Sequence, residues 1–160
     1  MDRGHHSERF GALLRQLAEN AARLGQALQA EKAALRGGDP ESILHSVHEK
    51  QRHLERVLRS AEQSEHLLRD AGCPAGKEGM QRYLAQHDSD RALARLWQRC
   101  LALLTQCQVS NLENGALARA GRCYVQHALT VLRGPSIMSG VYQASGELAV
   151  DGLTRPLAKV

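Results

Sequence analysis

The 160-residue sequence predicts an all-α fold: an antiparallel helical hairpin plus a long third major helix, forming a coiled-coil-like bundle with an irregular C-terminal tail. Between Met1 and Leu104 the only β-branched residues are Ile43, Val47 and Val57, which leaves almost nothing with which to build a sheet. Apolar residues recur instead at alternating steps of three and four, the spacing that lines one face of a helix. The chain holds 24 Leu but only five aromatic residues, Phe10, Tyr83, Trp97, Tyr124 and Tyr142, so leucine and alanine must do the packing. A chain of this length reads as one bundle domain, residues 1–133, followed by a tail, residues 134–160.

The first helix spans Ser7 to Arg36, with a seam of Phe10, Leu14, Leu17, Ala21, Leu24, Leu28, Glu31 and Leu35. Gly37-Gly38 stops it, and Asp39-Pro40 then supplies an N-cap with proline at the first helical position. In the second helix the expected seam is Leu44, Val47, Gln51, Leu54, Leu58, Ala61, Glu65 and Leu68, widened by Ile43, Val57 and Leu67. So short a turn between two long helices implies an antiparallel pair. That register sets Glu31 opposite His45 and His48. One of these histidines, or Lys50 one turn on, is then its partner, unless Glu31 sits in water at the hairpin end.

Three glycines and Pro74 between Gly72 and Gly79 end the second helix near Ala71 and read as a flexible connection, with a short helical piece at Met80 to Gln86. Asp88-Ser89-Asp90 can cap the last helix, whose seam is Leu93, Trp97, Cys100, Leu104, Cys107, Asn111, Asn114, Ala118, Gly121, Val125, Ala128 and Leu132. Gly134-Pro135 stops it. This helix outruns its partners, and its second half carries Leu117, Tyr124, Ala128, Val131 and Leu132, the pattern of a helix that awaits another; packing on the hairpin or on a dimer mate is the competing reading. Beyond it, nine of the last 27 residues are Gly, Pro or Ser, the composition of a tail with a linear docking motif.

Several function classes are disfavoured. The sequence shows no glycine-rich phosphate loop, nucleophile elbow or metal motif, so neither an enzyme nor a metal or other cofactor is expected. Cys73, Cys100, Cys107 and Cys123 have no C-x-x-C spacing, and Cys100 and Cys107, about 10 Å apart along a helix, read as small core residues and not as a disulfide. His45 and His48 lack a third ligand. The formal charge of +4 is spread among carboxylates with few aromatics, so no nucleic acid is expected as a partner. The longest apolar stretch, Cys100 to Leu104, is far too short to span a bilayer, and the N-terminus has no secretory signal, so a soluble, cytoplasmic protein without direct membrane insertion is expected.

Five motifs in order resemble the FlgN family of flagellar export chaperones. They are Glu31-x-x-Ala34-Leu35, Glu49-Lys50, Asn111-x-x-Asn114-Gly115, Ala128-Leu129-x-x-Leu132 and Tyr142-x-x-x-Gly146. The resemblance implies a cytoplasmic, non-enzymatic chaperone of flagellar type III secretion whose partners are hook-filament junction proteins and the cytoplasmic domain of the export gate. It further implies that the last helix binds the client, through Leu117, Gly121, Tyr124, Ala128, Val131 and Leu132, and that Tyr142 and Gly146 dock to the gate. A homo-oligomeric coiled-coil structural or adaptor protein is the alternative.

Overall fold

The computed structural model describes residues 3–89 and 91–133. They form four α-helices with no strand among them: α1 Arg3–Gly37, α2 Pro40–Asp70, α3 Gly76–His87 and α4 Ala92–Arg133. The all-α expectation is met. By their contacts the described residues divide into two units, one that ends at Ala118 and one that begins at Arg119; α1, α2, α3 and the first part of α4 lie in the former. Tyr142, Gly146 and the rest of the tail lie outside the described residues.

The α1–α2 turn is made as its residues dictate. Gly38 takes φ 72°, a left-handed conformation that favours glycine, and its N–H bonds the Ala34 carbonyl at 3.0 Å. The Asp39 carboxylate then accepts the Ser42 N–H at 2.9 Å, ahead of Pro40 in the first turn of α2. These two bonds to Ser42, from its hydroxyl and its N–H, hold the Asp39 carboxyl below the usual carboxylate range. The helices run antiparallel: Asn20 Nδ2 donates to Ser60 Oγ at 2.8 Å, and further along Lys50 Nζ donates to Glu31 at 2.6 Å.

The buried face of α2 is the expected one only in part: Val57, Leu67 and Leu68 are buried as expected, but three leucines of the seam are not. Leu44, Leu54 and Leu58 are 58%, 43% and 53% exposed, whereas Ser46, Val57, Ser60, Ser64, Leu67 and Leu68 are buried. The physical reason lies in the serines. Ser46, Ser60 and Ser64 each donate the hydroxyl to a carbonyl of the preceding helical turn, those of Ile43, Arg56 and Ser60, so burying them leaves no polar group unpaired. Being small, they also let the α2 backbone come repeatedly within 8 Å of α1, Cα to Cα. A face of self-satisfied small residues packs closer than a face of leucines, and the leucine row is turned outward.

At the other end of the bundle, Gly72 at φ 72° ends α2, with the Gly72 N–H on the Arg69 carbonyl and the Cys73 N–H on that of Leu68. The expected connection is half helix, since α3 already begins at Gly76. Its start is fixed by Gly79, where an added Cβ would fall 1.5 Å from the Pro74 carbonyl oxygen. This close approach seats Met80 and Tyr83, each 1% exposed, among Phe10, Leu14, Leu67, Leu68, Cys73 and Leu93. The Tyr83 ring lies 4.5 Å from that of Phe10 and its hydroxyl donates to the His6 carbonyl at 3.3 Å. Burial pushes the Tyr83 phenol up.

As expected of the Asp88 segment, its carboxylate takes the free N–H groups that open α4, from Leu93 at 3.0 Å and Ala94 at 2.8 Å. α4 then runs parallel to α1. Cys100 Sγ donates to the Leu14 carbonyl at 3.2 Å, Cys107 Sγ to that of Ala21 at 3.3 Å, and Asn114 Nδ2 to that of Leu28 at 2.8 Å. Each pair is 86 residues apart, so the heptad register holds without drift over three rungs. Cys100 and Cys107 are free, buried core residues, and burial pushes both thiols up. Among the described residues no helix is long and apolar enough to cross a membrane.

Candidate functional site

Two features stand out: a buried polar network between α1, α2 and α4, and an exposed apolar stretch in the last turns of α4. In the network, Glu31 on α1 is 5% exposed. Its Oε1 accepts Lys50 Nζ from α2 at 2.6 Å and its Oε2 accepts Asn114 Nδ2 from α4 at 2.8 Å. The same Asn114 amide group bonds the Leu28 carbonyl, so the residue spends its donors on α1 and leaves its buried Oδ1 without a partner. Beside it, in the open, Lys32 pairs with Glu113 at 2.7 Å and holds the Glu113 carboxyl below its ordinary range.

Of the candidates for Glu31's partner, Lys50 is the one the structure selects. His45 and His48 are exposed, and the reading that leaves Glu31 in water fails because its carboxylate is buried. The facing residue is further along α2 than the histidines because the serine face, and not the leucine row, turns toward α1. Three of the motifs singled out in the sequence thus meet at one point: Glu31, Lys50 and Asn114 are a single contact set. Their neighbours do not all join it, since Asn111 is exposed and Gly115 half-buried.

The second feature is the stretch Arg119–Leu132 of α4, in which no described residue is buried. Tyr124, Val125, Leu129, Val131 and Leu132 are 77%, 55%, 44%, 64% and 82% exposed. Gly121 is exposed and Ala128 half-buried; Leu117, the first of the expected client-binding residues, is half-buried in the bundle unit. Five large apolar side chains in a single stretch exceed the scattered exposed leucines that need no explanation. Sequence reasoning missed the outward leucines of α2 and the thiol-to-carbonyl rungs. The equal spacing of seven through Cys100, Cys107 and Asn114 marks one face of α4 but does not say which α1 carbonyls that face meets.

Among the described residues, no three histidine, cysteine or carboxylate side chains are grouped to hold a metal ion. The residues present exposed apolar area in the last turns of α4 and, separately, a buried polar network among α1, α2 and α4. The fold defines a helical-bundle protein. The family model described as FlgN protein matches residues 1–149, and the chain belongs to the FlgN family of flagellar export chaperones. No curated protein and no solved structure matches it.

Proposed function

We propose that this chaperone binds hook-filament junction proteins through α4 and delivers them to the cytoplasmic domain of the export gate. The observation that carries the reading is the run of exposed apolar side chains from Tyr124 to Leu132 on an ordered helix. An amphipathic client helix laid along it removes these side chains from water, with a few large residues supplying most of the affinity. The client surface comprises Leu117, Gly121, Tyr124, Ala128, Val131 and Leu132, on a bundle domain of residues 1–133. Residues 134–160 form the docking tail, in which Tyr142 is the sole aromatic anchor and Gly146 lies four residues on. The working compartment is the cytoplasm, and no step requires catalysis, a cofactor or nucleic acid.

The test pairs calorimetry with circular dichroism. Tyr124→Asp combined with Val131→Asp removes two exposed anchors. It is expected to weaken binding to the terminal segment of a junction protein about 100-fold, from about 1.4 kcal/mol or more at each anchor, with helicity kept. Deleting residues 134–160, or Tyr142→Ala, is expected to leave client affinity within about twofold and to abolish gate binding. An unchanged client affinity in the double variant overturns the reading. So does a chain that self-associates through α4 and ignores junction proteins, the behaviour of a coiled-coil adaptor.

A further inference from the structure

The rungs between α1 and α4 differ in what they specify. Cys100 and Cys107 each give a thiol hydrogen to a backbone carbonyl, and the carbonyls of Leu14, Ala21 and Leu28 are spaced by the same seven residues as the donors. Every residue of α1 has a carbonyl. Cys107 would therefore meet Leu14 as well as Cys100 does, and the thiol rungs cannot tell the observed register from one displaced by a heptad. Leu103 would likewise fall where Leu96 lies, and Leu104 where Trp97 lies.

The third rung is selective because it ends on a side chain. Asn114 Nδ2 reaches the Glu31 carboxylate as well as the Leu28 carbonyl, and Glu31 is fixed in turn by Lys50 of α2. Displaced by one heptad in one sense, α4 would bring Gly121, which has no side-chain donor, to Glu31. Asn114 would then stand at Ala21, three residues from the buried and apolar Leu24. Displaced in the other sense, a thiol from Cys107 would replace the amide. At the start of α4 the register has separate supports, the Asp88 cap and Leu93, whose Cδ2 lies 3.2 Å from where a Cβ on Gly11 would be. From Cys100 onward two side-chain contacts discriminate, the buried one of Asn114 with Glu31 and the solvent-screened pair of Lys32 with Glu113, and the buried one is the stronger.

We propose that Asn114, acting through Glu31 and Lys50, is the register pin of α4. It is a positioning residue that holds the later part of the α1–α4 seam at a separation of 86 residues and so decides which residues of α4 remain unburied for a partner. The unpartnered Oδ1 of Asn114 fits this role, because a polar residue on an otherwise permissive seam selects one alignment at some expense of stability. The inference stands whichever partner α4 binds.

The experiment reads register directly. Nitroxides are attached to ketone-bearing residues introduced at the exposed Gln29 and Gln108, which leaves the native thiols alone, and the distance between them is measured by pulsed electron resonance in the full chain. In the observed register these sites are offset by one heptad, about 10 Å along the axis, and a slip doubles or removes that offset. The parent is expected to give one distance. N114C keeps a donor for Leu28 and makes the three rungs alike, and it is expected to add a second distance population of at least a tenth. The triple change E31L/K50M/N114L replaces the network with apolar side chains of similar size. It is expected to keep or raise the melting temperature while also giving two populations, which a merely stabilising network would not do. A single parental distance in the triple variant, or in a folded N114C, overturns the proposal.

Discussion

Replacing Lys50 by Met tests whether Glu31 is held in solution as its geometry demands. The Lys50–Glu31 contact is 2.6 Å long, with the carboxylate side chain 6% and the ammonium side chain 24% exposed. Removing one member of a fully buried ion pair costs about 3–5 kcal/mol, and losing a hydrogen bond to a charged group about 1.5–3 kcal/mol. Here water reaches a quarter of the lysine, and Asn114 still donates to the carboxylate, so the smaller figure applies: about 2 kcal/mol. For a chain of this size that corresponds to a melting temperature lower by about 4–8 °C. Urea unfolding followed by circular dichroism at neutral pH should show the midpoint fall with an unchanged slope, as expected when stability changes and compactness does not. Adding Glu31→Gln to the same chain removes the uncompensated charge and should recover most of the loss. A Lys50→Met protein within about 0.5 kcal/mol of the parent would refute the reasoning, because it would mean that Glu31 is solvated.

Gly79→Ala is expected to destabilise the protein and to release α3 first, seen as faster amide exchange at Met80 and Tyr83, since its Cβ would fall on the Pro74 carbonyl oxygen. Parent-like exchange would show that the Pro74–Gly79 approach is looser than described. Thiol alkylation at pH 8 should modify the exposed Cys123 well before Cys100 and Cys107, whose upward-shifted thiols hold little thiolate at that pH, and all should react alike in denaturant. Equal rates in the native chain would mean that the α1–α4 seam opens readily.

Much of this protein was legible in the sequence, because the signals concerned were local. Gly38, Asp39 and Pro40 dictate a stop, a cap and a start within three residues, and Asp88 announces α4 in the same way. The α1 seam from Phe10 to Glu31 could be read because its apolar period coincides with its buried face. Of the candidate surface, the exposed run from Tyr124 to Leu132 was recognisable, since it continues past the polar seam positions of α4. What only tertiary structure decided was azimuth and pairing. Periodicity gives α2 a leucine row but does not say that the row must face inward, and the row lost to serines that bond their own helix and permit a closer approach. That rotation set Lys50, and not the histidines, against Glu31. Asn114 joined them only because α1 and α4 align in parallel with a constant offset, a relation between helices that no spacing within one helix encodes.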